Sequence, residues 1–557
     1  MDVIYDPLPQ GKYIRLLEVR APLLTHELVG KFRLISLDDC THNYIAISYA
    51  WENPASVNRI RFPDGRSLPL SQTLSGLFNS LRKRHDAFTV WVDALCINQE
   101  DLDERASQVR LMGKVYSSAE QVLLWLGAST QETKKAFRFM ESKQTLSWPE
   151  DWDKLKDFSG LESLFSLLER PWFQRVWVIQ EVTLSGNVLM TCGEDTIDFD
   201  NFRLCVFGLW KFFEGWVDYD EDDAAIRGLW CLTRLIFIRD KFQDESVVRF
   251  EILLQAAFHC QATDKRDMVF AFRGIADQDR PVPEPNYTAS VQDVYIKTAI
   301  ALLCHGKSLD LLALGGIGGR KHSSDLPTWV PDFRHHSYSE PFVPCDRAEW
   351  NTGGDLQAPA TIVPPNQLRL QIKTFDTVEV TCTIFDSYSV TELQTAVQEI
   401  FALRQRLPYE VSEELWIDVV ARSLIFGLDI EDEPAGPEYR EYFDEWLQWL
   451  QSSSTQEDLE KIRSNKYHRT LGPRIDGWKA FLTKQGFFCI GPPAVAAGDE
   501  ICVVPGCRLP IIVRLDPKAS DAEPLPEYIL VSWCFVQGLM YGESITPYQP
   551  IVDILLR

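Results

Sequence analysis

The sequence predicts an α/β fold for its N-terminal part, a parallel sheet with helices on both faces, followed by a mostly helical middle region and a small β-rich C-terminal unit. Three observations carry this. Between about Tyr44 and Gly193, short β-branched or aromatic segments alternate with longer helical patterns. The strand-like segments are too uniformly apolar to leave one face wet, as expected of a parallel sheet covered on both sides. The final stretch, Gly486–Leu556, is broken instead by tight turns at Gly491–Pro493, Gly498–Asp499 and Pro505–Gly506.

In chain order, the expected strands are Tyr44–Tyr49 (YIAISY), Phe88–Val92 (FTVWV), Gln121–Leu126 (QVLLWL) and Asn187–Thr191 (NVLMT). A first crossover helix spans Leu70–His85, with Leu74, Leu77, Phe78 and Leu81 on one stripe. A second follows Asp101 and Glu104, which resemble a capping box, and repeats apolar residues at Val109, Met112, Tyr116 and Ala119. Pro171 suits the first turn of a third helix, in which Phe173, Trp177, Gln180 and Leu184 form a stripe flanked by Glu181. From Asp195 to Asp332 the pattern is mainly helical, interrupted by the acidic run Asp218–Asp223 and the loop GGIGGR at Gly315–Arg320, and prolines punctuate it around Pro327, Pro331, Pro341 and Pro344. Next, Gln367–Trp449 opens with a β-like segment and continues as helices over Thr391–Arg406 and Glu410–Phe426. The expected divisions are 1–195, 196–335, 336–475 and 476–557.

Composition bounds the function. The 557 residues correspond to roughly three to five structural units. The 80 acidic and 56 basic residues leave a net charge of −24, which repels nucleic acid polymers and anionic membranes while leaving room for a small anion in a local pocket. Thirteen cysteines show no CxxC pair and no metal-ligand spacing with the nine histidines, so reduced thiols, no metal and a cytoplasmic setting are expected. The opening MDVIYDPLPQ places Asp2 and Asp6 where a signal peptide needs a basic and then an apolar segment, and no run approaches about eighteen apolar residues. No membrane association is expected. The acidic run reads as a solvated loop, GGIGGR lacks dinucleotide-binding spacing, and His335 and His336 are weak metal candidates in a proline-bounded loop.

Three motifs, AISYAWEN at Ala46–Asn53, VWVDALCINQED at Val90–Asp101 and RPWFQRVWVIQEV at Arg170–Val182, resemble the fungal heterokaryon incompatibility (HET) domain family. The segment Asp103–Gly127 looks like the family's helix and third strand. Weaker similarity continues in RDMVFAFRGIA at Arg266–Ala276, LPTWVPDF at Leu326–Phe333, and GDEICVVPG and GLMYGES near the C-terminus. Glu52 departs from the glycine usual in the first motif. The HET domain in turn resembles the Toll-receptor-type (TIR) domain, a flavodoxin-like doubly wound sheet. TIR domains that cleave NAD carry a glutamate in a Trp-x-x-x-Glu context on the helix after the third strand, and Trp177 and Glu181 match that spacing, with Ala128–Glu169 intervening as an insertion or lid. The resemblance implies cell death in non-self recognition, NAD as substrate with no cofactor required, and allelic or non-allelic incompatibility proteins or further copies of the chain as partners.

Ligands of open parallel sheets collect at the carboxyl ends of the strands. That rule gathers Ser48, Tyr49, Trp51 and Glu52 from the first strand, Asp93, Asn98 and Gln99 from the second, and Trp177 and Glu181 from the helix into one site, which the resemblance implies takes a small nucleotide. Glu181, pressed against an indole, loses solvation, so its pKa rises; the resemblance assigns it to the ribose as the catalytic carboxylate, with the other residues binding substrate. The alternative places Glu181 on the solvent flank of an amphipathic helix, paired with a neighbouring arginine. Trp51, Trp91, Trp125 and Trp177 are equally suited to core packing, Asp93 and Asn98 to capping, and Cys96 to a buried thiol. Two other functions stay open: a non-catalytic signalling module that acts by assembly, and the same scaffold reused as an enzyme of another pathway.

Overall fold

The four segments expected as strands lie side by side in the centre of a nine-stranded sheet. The computed structural model describes the chain outside residues 1–4, 21–27, 40–42, 52–55, 144–157, 214–222, 246, 277–281, 307, 319–324, 335–348, 355–358, 454, 456–457, 519–524 and 544–549. The chain divides into two compact units, one formed by Met1–Phe213, Asp218–Asp277 and Glu284–Ser290, the other mainly by Val291–Arg557. The helices of the middle region expected over 196–335 are therefore shared between the units.

The first unit contains β1 (Tyr13–Arg20), β2 (Leu28–Ser36), β3 (Ile45–Tyr49), β4 (Ser56–Arg61), β5 (Ser67–Ser71), β6 (Ala87–Trp91), β7 (Gln121–Trp125), β8 (Val188–Cys192) and β9 (Asp195–Asp198). They are arranged β5-β4-β2-β1-β6-β3-β7-β8-β9. Strands β6, β3, β7 and β8 run parallel. Numbered by chain order, these four lie second, first, third, fourth, so the winding of the sheet reverses at β3. Each has a neighbour on both sides, which is why their sequences carry no wet alternation. The flanks differ: β1 is antiparallel to both β2 and β6, and β9 is antiparallel to β8. The expectation of a wholly parallel sheet is corrected to a parallel core with mostly antiparallel margins, β2 and β4 alone pairing in parallel there, and β2 starts with the buried-exposed alternation of a half-wet strand.

Helix α1 (Gln72–Arg82) buries Leu74, Leu77, Phe78 and Leu81, and its cap Ser71 accepts a hydrogen bond from the Leu74 N–H at 3.2 Å. Leu70 belongs to β5, so this helix starts later than expected. After the short α2 (Asp93–Cys96), α3 (Leu102–Ser118) buries Val109, Met112 and Tyr116, and Asp101 caps it by accepting from the N–H groups of Asp103 and Glu104, each at 3.0 Å. Glu104 does not close a capping box; it pairs with Arg15 at 2.5 and 2.8 Å and accepts from the Asn98 N–H at 2.7 Å. The Tyr116 ring meets Trp91 edge-on at 5.6 Å, whereas Gly76 of α1 lies beside Trp125. Trp91 is in register with Ala46 and Trp125 with Tyr49, three residues along β3, so α1 and α3 cover opposite faces of the sheet.

The remaining helices of this unit are α4 (Gln131–Lys143), α5 (Phe158–Leu168), α6 (Trp177–Thr183), α7 (Phe199–Phe213), α8 (Ala224–Glu245), α9 (Phe250–Ala257) and α10 (Asp267–Phe270). The insertion before the third expected helix thus supplies the helices α4 and α5. That third helix is not continuous from Pro171. A 3-10 turn at Pro171–Gln174 ends at an extended Arg175, and α6 starts afresh at Trp177. The break is held by a β-bridge between Arg175 and Gln261, with the Gln261 N–H donating to Gln174 O at 2.6 Å and the Val176 N–H to Gln261 O at 3.0 Å. A distant segment thus completes hydrogen bonds that a continuous helix would have made internally.

The second unit contains α11 (Val291–His305), β10 (Thr361–Val363), β11 (Gln367–Ile384), α12 (Val390–Ala402), α13 (Glu413–Leu424), α14 (Glu438–Ser452), α15 (Leu459–Ser464), α16 (Lys466–Ile475), β12 (Lys479–Thr483), β13 (Phe488–Gly491), β14 (Glu500–Val503), β15 (Ile511–Leu515), β16 (Glu527–Trp533), β17 (Phe535–Val536) and β18 (Val552–Leu556). The order β14-β15-β16-β18-β11 closes on itself because β14 also pairs with β11. The β-rich C-terminal unit is therefore larger than expected: a closed barrel whose longest strand lies far upstream of residue 476. Strand β11 pairs in turn with β18 at Leu368–Ile372, with β14 at Lys373–Thr377 and with β12 from Val378, and register shifts within the β14 and β12 pairings bend it. Phe375, Val378, Phe481, Ile501, Ile512 and Val531 belong to its apolar core. Phe426, at φ 57°, closes α13 and turns its ring onto Trp533 and Phe535 at 5.7 and 5.3 Å; that packing offsets a backbone cost of about 1–2 kcal/mol.

Several minor motifs also find their place. Most of the acidic run, together with His335 and His336, lies outside the described residues; Asp223 accepts from the Ala225 N–H at 2.7 Å at the start of α8. The N–H groups of Gly316 and Ile317 donate to Thr328 O and Leu530 O at 2.8 and 3.1 Å, so they are committed to backbone rather than to a phosphate. Among the described residues, no helix is long and apolar enough to cross a membrane.

Candidate functional site

A buried polar cluster forms where β3 ends. Ser48 points to the face covered by α3 and α6, and its hydroxyl donates to Glu181 while accepting from the Trp172 indole N–H at 2.8 Å. Glu181 lies on α6 and is 1% exposed. Arg175, in the break before α6, donates to the carbonyl of Tyr49 and lies 3.9 Å from the Glu181 carboxylate. The Tyr116 phenol of α3 lies 3.3 Å from Ile47 O and also within reach of Glu181, so its single proton goes to one or the other. Three stretches distant in sequence, at Ser48, Tyr116 and Trp172–Glu181, thus meet at one carboxylate.

The electrostatics follow from this burial. Loss of solvent pushes the Glu181 carboxyl above the usual carboxylate range, opposed by Arg175 and by hydrogen bonds from Ser48 and Tyr116. Burial likewise raises Asp93, opposed by Arg175, the Ala94 N–H and the Trp51 indole. Burial pulls Arg175 down, but the charges of Glu181 and Asp93 outweigh it and hold the guanidinium above its ordinary value. Arg175 thus acts on two carboxyls, on Glu181 at 3.9 Å and on Asp93 through a longer-range attraction. Burial and the nearby Asp93 charge push the Tyr49 phenol well up, so this side chain enters the site as a neutral group.

The expected site residues divide into an inner pair, an outer rim and outliers. Ser48 and Glu181 form the inner pair. Trp51, 51% exposed, and Asp93 form the rim, the indole N–H donating to Asp93 Oδ2 at 3.0 Å. Gln99 reaches the rim indirectly, donating to Asp93 O at 2.9 Å. Asn98 instead accepts from the Glu100 N–H at 3.3 Å, while Arg15 and Glu104 hold its loop from beneath. Trp177 turns away from the pair and donates to Asp267 Oδ2 at 3.2 Å. Glu52 lies outside the described residues. Cys96 is buried, with its thiol pushed up to about 12 by burial, and Trp91 and Trp125 are core residues. The indole tied to the Glu181 site through Ser48 is therefore Trp172, not Trp177. The solvent-flank reading of Glu181 does not fit its burial, although the neighbouring arginine is there as Arg175.

Sequence reading did not single out Trp172, Arg175 or Tyr116. The first two lie within RPWFQRVWVIQEV, where an assumed continuous helix assigned them no position facing β3. Tyr116 belongs by its spacing to the apolar stripe of α3, which carries no sign of its phenol.

The parallel core and its cluster lie within residues 44–181, which match the family described as "Heterokaryon incompatibility protein (HET)". That part of the chain is thus similar to the heterokaryon incompatibility (HET) domain family. Residues 443–549 match a second family, the "Het-6 beta-barrel domain", in agreement with the closed barrel of the second unit. The chain is 24% identical to "Heterokaryon incompatibility protein 6, OR allele" of Neurospora crassa, over 90% of each chain. No solved structure matches it.

Proposed function

We propose that this protein acts in fungal heterokaryon incompatibility and triggers cell death through a TIR-like N-terminal domain that hydrolyses the nicotinamide-ribose bond of NAD, with Glu181 as the catalytic carboxylate. The observation that carries this reading is the convergence of Ser48, Arg175 and Tyr116 on a buried Glu181 at the carboxyl end of β3. The second-first-third-fourth order of the parallel strands supports it, since ligands of doubly wound sheets bind where the winding reverses. The similarity to a Neurospora protein named for heterokaryon incompatibility supports the biological role.

In the proposed reaction, the bond between the ribose anomeric carbon and the pyridinium nitrogen breaks, and its electron pair leaves with neutral nicotinamide. Water adds to the oxocarbenium-like carbon and releases a proton, giving ADP-ribose. No general acid is needed for the leaving group. The required help is a negative charge beside the developing cation, in a site where water does not screen it. Arg175 favours the ionised form of Glu181, and the hydrogen bond from Ser48 orients it. Purified full chain incubated with NAD should release nicotinamide, and Glu181→Gln should slow this by about a hundredfold or more. Undiminished release from that variant removes Glu181 from the role.

A second reading, a non-catalytic module acting by assembly with partners, is favoured by one observation: Glu181 is enclosed, with its partners already in place. Absence of NAD cleavage in both monomeric and assembled protein would select it.

A further inference from the structure

We infer that Trp51 and Asp93 form a recognition subsite for a planar aromatic cation at the rim of the Ser48–Glu181 pair, the group recognised being a pyridinium ring such as the nicotinamide of NAD. The inference deepens the NAD-cleavage reading and rests on it for the identity of the ligand.

Three features of the rim select such a group. The first is an available aromatic face that is already positioned. Trp51 follows the end of β3 and is 51% exposed, yet its indole N–H is tied to Asp93 Oδ2 at 3.0 Å. A ring anchored by its edge presents its face with little further loss of side-chain freedom. The second is a pinned carboxylate. Asp93 Oδ1 accepts from the Ala94 N–H at 2.7 Å, and its carbonyl is held by Gln99 at 2.9 Å.

The third is the charge balance. Arg175 is engaged with the Tyr49 carbonyl and lies 3.9 Å from Glu181, and it acts on Asp93 only through a longer-range attraction. Among the described residues Asp93 has no ion pair of its own, and burial works against its ionised form, so a bound cation would supply the charge that favours it. A neutral ring over Trp51 gains stacking alone. A pyridinium gains stacking, a cation–π contact and the missing counter-charge. It also loses that charge when the ribose bond breaks, so neutral nicotinamide is held less tightly and leaves. The acidic surface, at −24 for the chain, draws cations toward the rim in the same sense.

The test uses the full chain and two small probes of nearly equal shape, 1-methylnicotinamide, a permanent cation, and neutral nicotinamide, with binding measured by titration calorimetry. The cation should bind about tenfold more tightly. Asp93→Asn should remove most of that preference and leave nicotinamide affinity nearly unchanged; Trp51→Ala should weaken both probes and Trp51→Phe should retain binding. Thermal melts matching the parent chain show that each variant is folded. Equal binding of the two probes, or a preference that survives Asp93→Asn, overturns the inference. Cation preference without nicotinamide release from NAD leaves the subsite standing and removes the cleavage reading, whereas release without cation preference removes the subsite alone.

Discussion

Glu181 and Asp267 are both buried carboxylates tied to α6, and their partners make them different groups. Glu181 faces a guanidinium and two hydroxyls, which oppose but do not cancel the rise that burial imposes on its pKa. Asp267 accepts from the Trp177 indole at 3.2 Å and the Tyr287 phenol at 2.7 Å, while Arg105 lies 3.8 Å away over the Tyr287 ring. Burial raises Asp267 from 3.8 to about 6. The effect on stability has a definite sign. Below about pH 4 both folded and unfolded chains hold the proton, and as pH rises through about 4 to 6 the unfolded chain releases it first, so the folded state loses stability. The shift corresponds to about 3 kcal/mol by pH 7. Asp267→Asn should remove this dependence: relative to the variant, the parent chain should be more stable at pH 4 than at pH 7, as measured by denaturant unfolding at both. A constant difference across that range would show that Asp267 keeps an ordinary pKa.

At the scale of elements, the break between the 3-10 turn and α6 decides the site. A helix running from Pro171 through Leu184 would carry Trp172 and Arg175 on positions set by its own periodicity. The bridge to Gln261 replaces that periodicity and lets Arg175 reach the carboxyl end of β3 while Trp172 reaches Ser48. Packing between helices is equally specific. Gly228 on α8 lies so close to α5 that an added Cβ would fall 2.1 Å from the carbonyl oxygen of Leu168, an atom of backbone that no rotamer change can move. Gly228→Ala should therefore lower stability by about 2–3 kcal/mol, despite the better helix propensity of alanine. Unchanged or increased stability in urea unfolding would show that α5 yields freely. The stripes of α1 and α3 were legible beforehand, because burial of one helix face imposes a period of 3.6 on the sequence. The broken helix was not, since its cause is a backbone pairing with a segment more than eighty residues away.

At the scale of the whole molecule, the barrel of the second unit depends on β11, which pairs with β18, β14 and β12 in succession. A fragment comprising residues 476–557 lacks that strand, leaving three strand edges unpaired. Such a fragment should show no cooperative unfolding transition, whereas a fragment of residues 291–557 should unfold cooperatively, both followed by circular dichroism during heating. A cooperative transition in the shorter fragment would mean that the barrel closes without β11. The sequence by itself determined the four parallel strands, their covering helices, the family resemblance and Glu181 as the carboxylate to examine, because uniform burial and long motifs leave their mark in consecutive residues. Only the tertiary structure decided that β1 and β9 run antiparallel to the parallel core, that the barrel closes through β11, that Trp172 rather than Trp177 hydrogen-bonds Ser48, and that Arg175 reaches the carbonyl of Tyr49. Most of these rest on a contact between residues far apart in the chain, where a hydrogen bond or a charge is settled by position in space and local periodicity carries no record of it.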